Sequence, residues 1–121
     1  MLTNVSYLVD TNLLVCAYDR SEHEKQKRAR AILDWLESRG VGMLSTQILG
    51  EFFRIVTRKL SEPLTPRQAY LELERHLRTW KTFEITRAVV LEAGRGSVAY
   101  QMPFWEAQIW ATASLIRSPR S

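Results

Sequence analysis

Apolar and polar positions along this chain fall into blocks of different period. Val5 to Val9 is a short apolar run broken by one serine, and it ends in Asp10-Thr11-Asn12 before a second apolar run, Leu13-Leu14-Val15. A brief continuous run bounded by polar residues predicts a strand buried on both faces of a sheet. A short helix is expected from about Asn12 to Tyr18. Ala29, Ile32, Leu33 and Leu36 then recur at helical spacing. Ser21 and Glu24 stand before them as a capping box, and Gly40 stands where a C-terminal glycine belongs. Val41 to Leu44 predicts a second strand. Ser45-Thr46 opens a helix to about Leu60 that buries Ile48, Phe52, Ile55 and Val56, with Gln47, Glu51, Arg54 and Arg58 together on its other side. Gly50 in that helix costs about 1 kcal/mol relative to alanine, which points to close approach of something beside it.

The second half repeats the alternation. Thr65-Pro66-Arg67-Gln68 supplies a cap, a proline at the first helical position and a glutamine at the capping-box position. Ala69, Leu73, Leu77 and Trp80 form the expected buried stripe, which leaves Arg67, Arg75, Arg78, Lys81 and His76 at the surface. Thr82 to Ile85 predicts a third strand. Thr86 begins a helix expected to bend or stop near Gly94 and Gly96. Pro103 opens a last helix, Phe104 to Ala113, apolar almost all round and therefore expected to be buried. Residues 116–121 read as a disordered tail.

Strands alternating with helices predict an α/β fold with a parallel sheet, and right-handed crossovers place the strand ends on one face. Ligands of such sheets bind beyond the carboxyl ends of the strands. Asp10 stands at one such end, Glu51 on the helix leaving the second, and Glu106 in the first turn of the last helix. Each has a plain structural role open to it. Asp10 suits a helix cap, Glu51 can pair with Arg54 three residues on, and Glu106 complements a helix dipole. Against the last, Trp105, Trp110 and the neighbouring alanines offer little to solvate an acid, and a buried charge needs a partner or a metal. Three carboxylates meeting in one pocket need a cation, and hard oxygen ligands select Mg²⁺ or Mn²⁺. The chemistry such a cluster serves is phosphodiester hydrolysis.

Composition narrows the class. A length of 121 residues suits one domain, and 45% hydrophobic with 25% charged residues is ordinary for a soluble globule. The net charge of +4 favours an anionic partner. One cysteine, Cys16, cannot pair within the chain, so a reducing, cytoplasmic setting is expected. No apolar stretch is long enough to span a membrane. The basic face of Lys25, Lys27, Arg28 and Arg30 reads as solvated. His23 has no His or Cys at ligand spacing, which excludes a zinc site there.

Tyr7-Leu8-Val9-Asp10-Thr11-Asn12, Ser45-Thr46-Gln47 with Glu51, and Phe104-Trp105-Glu106-Ala107 with Ala111-Thr112-Ala113 occur in that order over nearly the whole chain. Together they resemble a PIN domain of the VapC type, the toxin half of a toxin–antitoxin pair. The resemblance implies a three-layer α/β/α fold and a Mg²⁺- or Mn²⁺-dependent ribonuclease, dimeric and held inactive by a cognate antitoxin. It places Asp10 as the first acid, Glu51 as the second and Asn12 as the amide supporting the first. Glu106 falls where the family usually has aspartate; one extra methylene moves that carboxylate by about 1.5 Å, more than a designed site tolerates. The family also places a further strand ending in a fourth acid after the last helix. The chain stops before it, and neither Arg117 nor Ser118 replaces that acid. The expected fold is thus a C-terminally truncated one in which the first strand becomes an apolar edge, covered by a second copy.

Two functions follow. One is a ribonuclease toxin in which Asp10, Glu51 and Glu106 hold the metal while Arg54 and Arg58 lie near RNA phosphates. The other is a degenerate PIN domain, weak or inactive in catalysis, that binds an antitoxin or RNA. A haloacid dehalogenase-type phosphatase would want an aspartate where Asn12 stands, and a receiver domain would want an acceptor aspartate after Leu44.

Overall fold

Short strands need neighbours, and here two helices separate each strand from the next one it pairs with. The computed structural model describes residues 7–117, without the side chains of Trp105, Ile109 and residues 113–117. The elements are β1 (Tyr7–Leu8), α1 (Thr11–Cys16), α2 (His23–Arg39), β2 (Gly42–Ser45), α3 (Thr46–Arg58), α4 (Pro66–Thr79), β3 (Lys81–Phe83), α5 (Arg87–Tyr100) and α6 (Phe104–Arg117). The strands form a parallel sheet in the order β1-β2-β3. Tyr7 pairs with Gly42 and Leu8 with Met43, while Ser45 pairs with Phe83. Continuing the first register by two residues brings Asp10 level with Ser45, so the carboxyl ends of all three strands lie along one line. Among the described residues β1 is at one edge of the sheet. Val5 and Ser6, the start of the expected first strand, lie outside the described residues.

The chain divides into two compact units, Met1–Phe83 and Glu84–Ser121. The first holds the sheet and α1 to α4. Its core is built from Val9, Leu14, Leu44, Ile48, Phe52 and Val56, all essentially inaccessible, with Leu33, Leu36, Ala69 and Trp80 around them. Each such large side chain contributes about 1.5–3 kcal/mol when taken from water. The helical stripe read from α3 is therefore the central pillar of this unit. The second unit is α5 packed on α6, around Val89, Ala93, Ala107 and Ala111.

The punctuation of the helices follows their sequences in most places. Ser45, Thr65 and Thr86 each accept a hydrogen bond from the backbone N–H three residues on. Thr65 and Gln68 close the reciprocal box, with Gln68 Oε1 accepting from Thr65 N at 2.9 Å. Gly40 ends α2 in the left-handed region at φ 66°, where glycine carries no Cβ penalty.

Several expectations fail, each for a local reason. Ser21 does not cap α2. Its backbone N–H and its hydroxyl both donate to Asp19 Oδ1, and Glu22 takes the cap position without a side-chain bond. Ile32 and Leu77 lie outside the buried stripes, while His76 is 3% exposed, so α4 is rotated to bring a histidine inward instead of a leucine. α5 runs through Gly94 and Gly96 to Tyr100. A Cβ at Gly96 would stand 2.5 Å from the Trp110 ring, so that glycine serves close helix packing and not a break. Gly50 has nothing among the described residues within 4 Å of where its Cβ would be, so no described neighbour explains it. α6 is buried on one face, through Ala107, Gln108, Ala111 and Thr112, but Phe104 and Glu106 are exposed. It also continues to Arg117, into the segment expected to be a tail; residues 118–121 lie outside the described ones.

Candidate active site

Asp10 follows β1 directly, and its backbone is extended at φ −75° and ψ 146°. It occupies the cap position of α1, yet its side chain makes no cap hydrogen bond. Where Ser45, Thr65 and Thr86 spend their side chains on the helix they head, Asp10 presents an exposed carboxylate. Thr11 is buried next to it, and its hydroxyl is without a hydrogen-bond partner among the described residues. Asn12 is exposed in the first turn of α1.

Glu51 lies on α3, the helix that Ser45 caps at the carboxyl end of β2. α1 and α3 pack on one another, so Asp10 heads one of two adjoining helices and Glu51 rides on the other. Glu51 accepts a 2.9 Å hydrogen bond and ion pair from Arg54 Nη2. The pair is half exposed, and pairs of that kind contribute about 0–1 kcal/mol. Arg54 is therefore a loosely held counter-ion. Arg58, one turn further, is exposed. Glu106 stands in the first turn of α6 in the second unit, exposed to solvent. That exposure removes the argument that a buried Glu106 requires a metal, because water solvates it. Among the described residues of either unit, no three His, Cys, Asp or Glu side chains are grouped as a metal site.

A second polar site, unforeseen in the sequence, lies elsewhere in the first unit. A cleft of about 380 Å³ is lined by Tyr18, Arg30, Asp34, Glu72, His76 and Trp80 among others. Tyr18 Oη donates to Glu72 Oε1 at 2.5 Å, accepts from Arg75 Nη2 at 3.0 Å and lies 2.8 Å from His76 Nε2. Because the phenol hydrogen goes to Glu72, His76 Nε2 carries the proton it shares with Tyr18, and Nδ1 is left as an acceptor without a partner among the described residues. Burial pushes the His76 pKa down to about 4, with the Arg75 charge adding to the effect. Burial and the Glu72 carboxylate push the Tyr18 phenol up. At Glu72 burial opposes ionisation, but the hydrogen bonds from Tyr18 and Arg75 outweigh it and hold the carboxyl below its ordinary value. Edge-on contacts of His76 with Tyr18 and Phe52 tie this network to the core. The signal was the helical register of α4, one position off the stripe first drawn.

The fold has a counterpart among solved structures. The chain is similar to Mycobacterium tuberculosis VapC20, a sarcin–ricin loop cleaving toxin, with a TM-score of 0.63 at 16% identity over 86% of this chain and 78% of that one. At that identity the likeness carries the fold, which is the PIN-like α/β/α type that the sequence motifs resemble. No family model matches the chain. No curated protein matches it. Among the described residues no helix is long and apolar enough to cross a membrane.

Proposed function

We propose that this chain, PIN-like in fold, is a metal-dependent endoribonuclease of the VapC toxin type. The observation that supports it most is Asp10: a carboxylate at the carboxyl end of a parallel strand, in a cap position, withheld from the helix it heads. The donor set is carboxylate oxygen, which suits Mg²⁺ or Mn²⁺. Asp10 and Glu51 would hold the ion, with Glu106 as the third acid. When bound there, such an ion would supply activation of water and charge stabilisation at the departing oxygen. The chain's own groups do the rest. Arg54 gives up its weak hold on Glu51 and turns to a phosphate of the RNA. Arg58 adds a second cation one turn along, and Asn12 orients Asp10 from the first turn of α1. Both units act as one domain in this reading. A cognate antitoxin holds the toxin inactive, and a second copy covers the β1 edge, where Tyr7 is half exposed. Sedimentation showing a monomer at tens of micromolar, where weak interfaces are already populated at about micromolar Kd, would remove the dimer from this proposal.

The test is RNA cleavage by the purified chain with Mn²⁺, using D10N as control. Cleavage that needs both the ion and Asp10 is expected. Absence of cleavage, or cleavage that D10N leaves intact, would refute it. A second reading, a degenerate PIN domain that binds an antitoxin or RNA without cutting, is favoured by the Glu51–Arg54 pair. Absence of Mn²⁺-dependent cleavage together with retained RNA binding would select it.

A further inference from the structure

Beyond Glu51 the exposed side of α3 turns basic. A groove of about 630 Å³ lies there, walled by Phe53, Arg54, Thr57, Arg58 and Lys59 and closed by Pro66 at the start of α4. Arg58 lies in the last turn of α3 and Lys59 caps it. Cations at that end complement the helix dipole, which accounts for their charge. It does not account for a groove, nor for a phenylalanine that packs against the core and also lines it. Arg54 and Arg58 are four residues apart, so at 1.5 Å per residue they stand roughly 6 Å apart along the axis, a spacing that suits successive phosphates on one strand. Thr57 adds a directional feature. Its hydroxyl donates to the Phe53 carbonyl at 2.7 Å, so its hydrogen is spent and the oxygen can only accept. A ribose 2′-hydroxyl can donate to it; deoxyribose has nothing to offer. The 2′-hydroxyl is what distinguishes RNA from DNA at such a place.

We propose that this groove is a subsite for one unpaired ribonucleotide beside the scissile bond. Its two flanking phosphates sit at Arg54 and at Arg58 with Lys59, its base stacks on Phe53, and its 2′-hydroxyl donates to Thr57 Oγ1. The proposal rests on the ribonuclease reading for its place beside a cleaved bond, and it requires the nucleotide held in the groove to be unpaired. A base held in a duplex cannot stack on a side chain, whereas unpaired bases do so without strong sequence preference.

Binding is measured by fluorescence anisotropy with D10N protein in EDTA, so that nothing is cut. The probes are a labelled RNA of about eight nucleotides, within the usual range of single-strand site sizes, the same sequence as DNA, and the same RNA in a duplex. The single-stranded RNA is expected to bind several-fold tighter than the other two. R58Q/K59Q, at exposed positions, is expected to weaken binding about tenfold and to reduce the slope of log K against log salt by about 0.7, the value for one lost phosphate contact. T57V is expected to level RNA with DNA, and F53L to weaken RNA binding at unchanged salt slope. Wild-type-like binding by R58Q/K59Q overturns the proposal. So does equal competition by an oligoglutamate peptide, which would mark the groove as a docking surface for an acidic protein segment. Asp10-dependent cleavage with no effect of the groove variants keeps the ribonuclease reading and removes the subsite. Groove-dependent RNA binding by a chain that never cuts does the reverse.

Discussion

Acid should unfold this protein through one buried histidine before its carboxylates matter. His76 sits at 3% exposure between Tyr18 and Phe52, and burial lowers its pKa from 6.5 to about 4. The folded value lies below the unfolded one, so the unfolded chain binds the proton more readily. The stability this neutral imidazole gives is fully present above about pH 6.5 and is lost as pH falls towards 4. With these two values the loss is about 2 kcal/mol at pH 5 and at most about 3.4 kcal/mol below pH 4. That is a large share of the 5–15 kcal/mol that typically holds a domain together, by order of magnitude. Glu72 adds to acid sensitivity only lower down, since its carboxyl is held below the ordinary carboxylate value. The window from pH 7 to 5 therefore reports on His76. Denaturant melts across that window should lose about 2 kcal/mol in the wild type and much less in His76→Gln, whatever the absolute stability of the variant. If that variant does not fold, the imidazole resonances of the wild type answer instead, through a titration midpoint below pH 5. Parallel slopes for wild type and variant, or a midpoint near 6.5, would refute the reasoning.

Three further outcomes follow from the geometry. Gly96→Ala drives a Cβ into the Trp110 ring and should cost about 1–3 kcal/mol as overpacking, while Gly94→Ala, with open space around it, should be neutral or stabilise by up to about 1 kcal/mol; thermal melts that rank them the other way would show that α5 and α6 do not pack as described. Thr65→Ala removes the half of the α4 capping box in which its hydroxyl accepts from Gln68 N and should lower stability by about 1 kcal/mol, read by urea denaturation. Asp10→Asn should abolish Mn²⁺-dependent cleavage yet leave the melting temperature almost unchanged, because the Asp10 side chain makes no cap bond; a large loss of stability would mean that the carboxylate is structural.

Much of the fold was legible because it rests on local rules. The period of Ile48, Phe52 and Val56, the caps at Ser45, Thr65 and Thr86 and the glycine at 40 are each read within a few residues of chain. So is the strand that delivers Asp10 to the end of a parallel sheet. What failed depended on neighbours distant in sequence. Gly96 resembles a helix breaker until Trp110 is placed against it. His76 resembles a surface residue until Tyr18, 58 positions earlier, supplies a hydrogen-bond partner that makes its burial affordable. Ser21 resembles a cap until Asp19 takes both of its hydrogens. The types of residue available for chemistry were fixed by the sequence alone, since a carboxylate ending a strand is a local fact. Whether each was spent on structure or left free was decided by tertiary contacts, because a hydrogen bond, once made to one neighbour, is no longer offered to a ligand.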